Sequence, residues 1–98
     1  MQQKLEAARD AVTDEHSFLD FLAILAADWQ TERDLEAAAP SSPYAAGDLG
    51  WENGSIGMFL EAAHEWGTAS AGGLPLYTPP GNPWRRAADI LMAGKFYE

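Results

Sequence analysis

Five large apolar side chains, Phe18, Phe21, Leu22, Leu25 and Trp29, follow one another at spacings of three and four residues. That spacing draws a single apolar stripe along an α-helix, and no strand can present it on one face. Leu19 and Ile24 widen the stripe, and Thr13 or Asp14 stands where an N-cap is needed. The polar run from Gln30 to Asp34 extends the segment, and Pro40-Ser41-Ser42-Pro43 stops it. A helix from Asp14 to Ala39 would measure about 39 Å. The expectation is therefore that its far end stands exposed or bends.

Two further helices follow from the same logic. Asn53 or Ser55 can cap a segment whose Ile56, Phe59, Leu60, Ala63 and Trp66 share a face. Asn82 followed by Pro83 opens the last one, because a proline at the first helical position gives up no needed N–H. Trp84, Ala87, Ala88 and Leu91 then recur at helical spacing, Gly94 is the expected stop, and Phe96-Tyr97 is expected to fold back on the core. Residues 1–12 have helix-forming composition but few large apolar groups, which predicts a short, weakly docked helix. The stretch 74–81 reads as a proline-stiffened loop, with a short hairpin open at 74–78. The fold class expected is mainly α: a small irregular bundle of three to four helices with long Pro/Gly-containing loops. At 98 residues the chain has material for one core and one domain, residues 1–98.

Composition narrows the chemistry. The chain has no cysteine, which removes disulfides, thiolate nucleophiles and thiolate zinc sites. Its net charge of -9 is lopsided: residues 1–65 carry thirteen carboxylates against Lys4, Arg9 and Arg33. Such a field repels phosphate backbones and attracts basic surfaces, so no nucleic-acid partner is expected. The start of the chain lacks a signal-peptide plan and its longest apolar run, Phe21 to Ala27, is too short for a bilayer. The expectation is a cytoplasmic protein without a membrane partner.

The candidate reactive groups each have an ordinary explanation. Glu61-x-x-His64 is half of a carboxylate-bridged di-iron pattern, but the only other histidine, His16, has no glutamate three residues before it. Ser17 and His16 are adjacent on a helix and diverge by about 100°, so they do not form a nucleophile–base pair. No G-x-S-x-G elbow and no phosphate-binding loop is present. The chain is expected to be no enzyme and to hold neither a metal nor another cofactor. Trp29, Trp51, Trp66 and Trp84 sit at helix ends, where indoles close a core. Tyr44 and Tyr77, on loops beside prolines, are the better candidates for contact residues.

Three blocks together carry a resemblance. They are Ser17 to Leu22 with Leu25 and Asp28; Gly50-Trp51-Glu52-Asn53 with Ser55-Ile56 and Phe59-Leu60-Glu61; and Asn82-Pro83-Trp84 with Ala88, Ile90-Leu91 and Gly94 to Glu98. In these the chain resembles a family of short, uncharacterised bacterial proteins known as a domain of unknown function. The resemblance implies a shared fold and no activity. Of its polar members, Asn53 and Asn82 have capping roles open to them, whereas Glu52 and Lys95 do not. Tyr44, Glu52, Tyr77 and Lys95 are therefore the residues expected to meet a binding partner.

Two functions stand open. One is a non-enzymatic protein–protein interaction domain with an unidentified, basic partner, immunity- or antitoxin-like in its specific form, because acidic surfaces steer basic proteins. The other is a small metal- or ligand-binding protein using His16, His64 and nearby carboxylates. Self-association through Tyr44, Tyr77 or the 14–38 helix is compatible with the first.

Overall fold

A computed structural model describes residues 2–38 and 50–97. Four helices run in order: α1 (Gln2–Asp10), α2 (Glu15–Ala38), α3 (Ile56–Ser70) and α4 (Pro83–Phe96). At 1.5 Å per residue, the 24 residues of α2 span about 36 Å, longer than the 27 and 22 Å shorter dimensions of the molecule and close to its 41 Å long one. Among the described residues no helix is long and apolar enough to cross a membrane.

Asp14 caps α2, accepting from the Ser17 N–H at 2.9 Å. The Ser17 hydroxyl reciprocates by accepting from the Thr13 and Asp14 N–H groups at 2.9 and 3.1 Å. Serine thus stands in the place of the usual glutamate in a capping box. The Ser17 N–H bond holds the Asp14 carboxyl below its ordinary pKa.

Where α1 was expected to dock weakly, the structure buries Leu5 completely and Val12 almost so, both in the central cluster with Phe21, Leu25, Trp51, Ala88 and Met92. Leu5, with Ala8 packed against the same cluster, anchors a helix that a tally of large residues undervalued. Asn82 ties this corner to α4: its oxygen caps Trp84 N at 2.9 Å while its Nδ2 donates to Thr13 O at 2.8 Å. Trp84 lies 5.5 Å from Phe18, ring to ring.

The α3 face differs from the expected one. Ser55, not Asn53, is the cap, accepting from Met58 N at 3.1 Å. Phe59, Ala62, Ala63 and Trp66 turn inward, but Ile56 and Leu60 remain 81% and 59% exposed. The reason lies across the interface. α3 packs most closely on α4, and there Gly67 opposes Ile90 while Gly94 admits the Phe59 ring. A Cβ at Gly94 would lie 2.8 Å from Phe59 Cε2, so this glycine serves close packing inside the helix instead of ending it. α4 consequently continues to Phe96, whose ring is exposed and does not fold back on the core; Tyr97 is half-buried. After α3 the chain turns at Gly73, φ +91°, into a two-residue bridge between Leu74 and Tyr77. This is the short hairpin left open by the sequence.

Candidate interaction groove and the polar centre beside it

α2 and α3 do not pack directly on each other. Between them runs a groove of about 350 Å³, lined by Leu22, Leu25, Ala26 and Trp29 of α2, the 51–55 segment, and Ile56 and Phe59 of α3. Trp51 joins its two sides: the indole meets Trp29 edge-on at 5.1 Å and tilts against Phe59 at 6.1 Å. The apolar lining continues outward onto exposed Ile56, with Leu60 one turn further along α3. Both flanking helices are acidic. α2 carries Glu15, Asp20, Asp28, Glu32, Asp34 and Glu36 against Arg33 alone, and α3 carries Glu61 and Glu65 with no Lys or Arg.

Trp51 is held in place from behind. Its Nε1–H donates to Asp28 Oδ2 at 2.8 Å, and the Lys95 ammonium reaches the same oxygen at 2.8 Å. Asp28 is 0% and Lys95 1% exposed, so this is a fully desolvated ion pair. Lys95 also donates to Gln2 Oε1 at 2.8 Å and lies 5.6 Å over the Trp51 ring. The backbone completes the clamp: the Glu52 and Asn53 N–H groups donate to Lys95 O at 3.1 and 3.3 Å. Asn53 Nδ2 donates to Gly94 O and Tyr97 O, both at 3.0 Å. Asn53 therefore caps the C-terminal end of α4, not the start of α3, satisfying carbonyls a helix end leaves over.

The expected contact residues are scattered. Lys95 is interior and paired, so it cannot meet a partner without breaking the core. Glu52 is exposed beside the groove segment, and among the described residues it is held by its backbone N–H. Tyr77 is half-buried; its hydroxyl donates to Asp89 Oδ2 at 2.7 Å and accepts from Arg86 Nη1 at 3.2 Å, while its ring meets Trp66 edge-on at 4.9 Å. Burial, and then the bond to Asp89, push the Tyr77 hydroxyl above its ordinary pKa. Tyr44 lies outside the described residues. His16 is exposed in the first turn of α2, 3.7 Å from Asp20, and His64 is exposed on α3. Their helices do not touch, and among the described residues no three His, Asp or Glu side chains gather as a metal site would require.

Asp28 is the residue that sequence reasoning passed over, although the signal was there. It comes seven residues after Phe21 and three after Leu25, so a carboxylate lies on the buried face of α2. A charge in that place calls for a buried cation.

Fold and site together define a small, acidic, all-α domain in which an apolar groove leans on a buried Asp–Trp–Lys centre. The chain belongs to a family of unknown function, DUF7660, whose sequence profile matches residues 14–98. No curated protein and no solved structure matches it. The matched stretch starts after α1, so Asp28, Trp51, Asn53, Gly94 and Lys95 fall within it, while Leu5 and the Gln2 contact to Lys95 do not.

Proposed function

We propose that this chain is a non-enzymatic interaction domain that receives an apolar, basic-flanked segment of a partner protein in the groove between α2 and α3. One observation carries the reading: an apolar groove edged by 81%-exposed Ile56 lies between two helices of net negative charge. Large exposed aliphatics beside a concave apolar surface are a mark of docking sites. An amphipathic helix with basic residues along its rim would bury its anchors in the groove and meet carboxylates on both sides. In the immunity- or antitoxin-like form of this reading the partner is a basic toxin. The cytoplasm is the setting in which a cysteine-free chain of this kind would act. The metal-binding alternative through His16 and His64 draws no support from their placement on helices that do not meet.

The test compares Ile56→Asp with Leu76→Asp, the latter at a fully exposed leucine that does not line the groove. Partners are captured from native extract at low and high salt. The reading requires a basic partner that is retained by Leu76→Asp, lost with Ile56→Asp and weakened by salt. A partner set identical for both variants would refute it. A dimer dispersed by Ile56→Asp in light scattering would assign the groove to a second copy instead.

A further inference from the structure

The chain's six cationic side chains are not spread evenly: Arg9, Arg85 and Arg86 collect around Asp10, Asp89 and Tyr77 where α1 and α4 meet the hairpin turn. Arg86 is spent on structure. It donates to Gly67 O at 2.8 Å and Ser70 Oγ at 2.9 Å and lies over the Trp66 and Tyr77 rings. Arg85 Nε reaches Asp89 Oδ1 at 3.0 Å. The remaining donors converge on one exposed oxygen. Asp10 Oδ1 accepts from Arg9 Nε at 3.1 Å, Arg9 Nη2 at 3.0 Å and Arg85 Nη2 at 3.3 Å, although the Asp10 side chain is 57% exposed. The Nη1 groups of Arg9 and Arg85 have no protein partner among the described residues. Both arginines line a second cavity of about 210 Å³ together with Asp89 and the aromatic residues Trp66, Tyr77, Phe96 and Tyr97. Asp10 is not part of that lining and meets the cavity only through its bonds to the two arginines.

We infer that this cavity is a binding site for a small aromatic carboxylate, with Arg9 and Arg85 as its anion fork and Asp10 as the internal carboxylate the ligand displaces. Guanidinium forks match carboxylate geometry, and aromatic walls suit a planar apolar body. Charge selects the class. Three guanidiniums against two carboxylates leave one positive charge, which a monoanion neutralises and a phosphate dianion would overshoot beside Asp89. The volume equals that of roughly seven waters, enough for one ring and a short acid arm. The carboxylate can belong to a free metabolite-sized acid or to the C-terminus of a peptide ending in an aromatic residue.

The test is an NMR titration of the whole chain, following the Trp66 indole N–H and the Arg9 and Arg85 Nε–H signals. The probes are 3-phenylpropionate, its neutral amide, inorganic phosphate, and a short peptide ending in phenylalanine with a free or amidated C-terminus. The acid should shift these signals saturably with a Kd on the order of 1 mM, and the amide should not. Arg9→Gln should weaken binding about tenfold or more, because a charge-assisted bond is lost. Asp10→Asn should strengthen it several-fold, a gain that a merely structural role for the cluster would not produce. Tighter binding of the free-ended peptide than of the acid would identify a protein C-terminus as the source; the reverse would identify a free acid. Equal response to acid and amide, preference for phosphate, or no gain with Asp10→Asn would overturn the inference. Ile56→Asp should leave all of these titrations unchanged, since the groove is a separate surface.

Discussion

Lys95→Met isolates the buried ion pair. Methionine matches the lysine stem in length and flexibility, so packing is nearly kept while the ammonium is deleted. What remains is a carboxylate at 0% exposure with the Trp51 indole as its one donor among the described residues. Breaking a buried pair in this way costs about 3–5 kcal/mol, since the surviving charge keeps its desolvation penalty. Against a total stability of about 5–15 kcal/mol the loss is large. With a urea m-value of about 1.5 kcal/mol/M, the unfolding midpoint should fall by roughly 2–3 M. Adding Asp28→Asn removes the stranded charge but keeps a carbonyl oxygen for Trp51 Nε1. The double variant should therefore recover most of the loss and end within about 2 kcal/mol of the parent. Urea unfolding followed by both circular dichroism and tryptophan fluorescence measures the three variants. A Lys95→Met midpoint within 0.5 M of the parent, on the order of 1 kcal/mol, or a double variant no better than the single, would refute the claim that this pair is desolvated and coupled.

Gly94→Ala should be destabilising even though alanine is the better helix former. The new Cβ meets the Phe59 ring at 2.8 Å, an overpacking that costs about 1–3 kcal/mol against about 1 kcal/mol of helix propensity gained; thermal unfolding reads the difference, and Phe59→Leu should rescue the variant. Tyr77 has a raised pKa, so its neutral form is favoured on folding: the stability it contributes is complete below the ordinary value near 10.0 and declines as pH rises through the folded value. Alkaline titration by ultraviolet absorbance should show one tyrosine ionising late, and Tyr77→Phe should abolish that late step and flatten the alkaline limb of the stability curve.

The helices were legible because their signals are local. A stripe at spacings of three and four, Asp14 and Ser55 as caps, and Asn82-Pro83 as an opening all act within one turn of chain. What was not legible depends on neighbours far away in sequence. The orientation of α3 could not be read from its own large residues, because α4 sets Ile90 against Gly67 and takes the Phe59 ring at Gly94, which rewards close backbone approach. Ile56 and Leu60 are left outside as a result. Lys95 looked like a spare surface charge because its partner Asp28 lies two helices earlier. The arginine cluster was equally hidden, since Arg9 comes from the first helix and Arg85 from the last.

The polar centre and the groove are physically one object through Trp51. A buried ion pair is no efficient source of stability, and an apolar triplet of similar volume could replace it with little loss. What such a replacement would not reproduce is direction. Asp28 fixes the Trp51 indole by its N–H, and Lys95 and Asn53 fix the 51–53 backbone to the end of α4. The indole thus presents one orientation between Trp29 and Phe59 before anything binds. A wall already ordered loses little conformational entropy on association, so more of the apolar contact appears as affinity. By the same linkage an occupant of the groove favours the folded chain and raises its apparent stability with the logarithm of its concentration over Kd. Weakening the centre, as in Lys95→Met, should then weaken binding at Ile56 although no groove residue has changed, and this coupling is what separates a positioned site from an incidental gap between two helices.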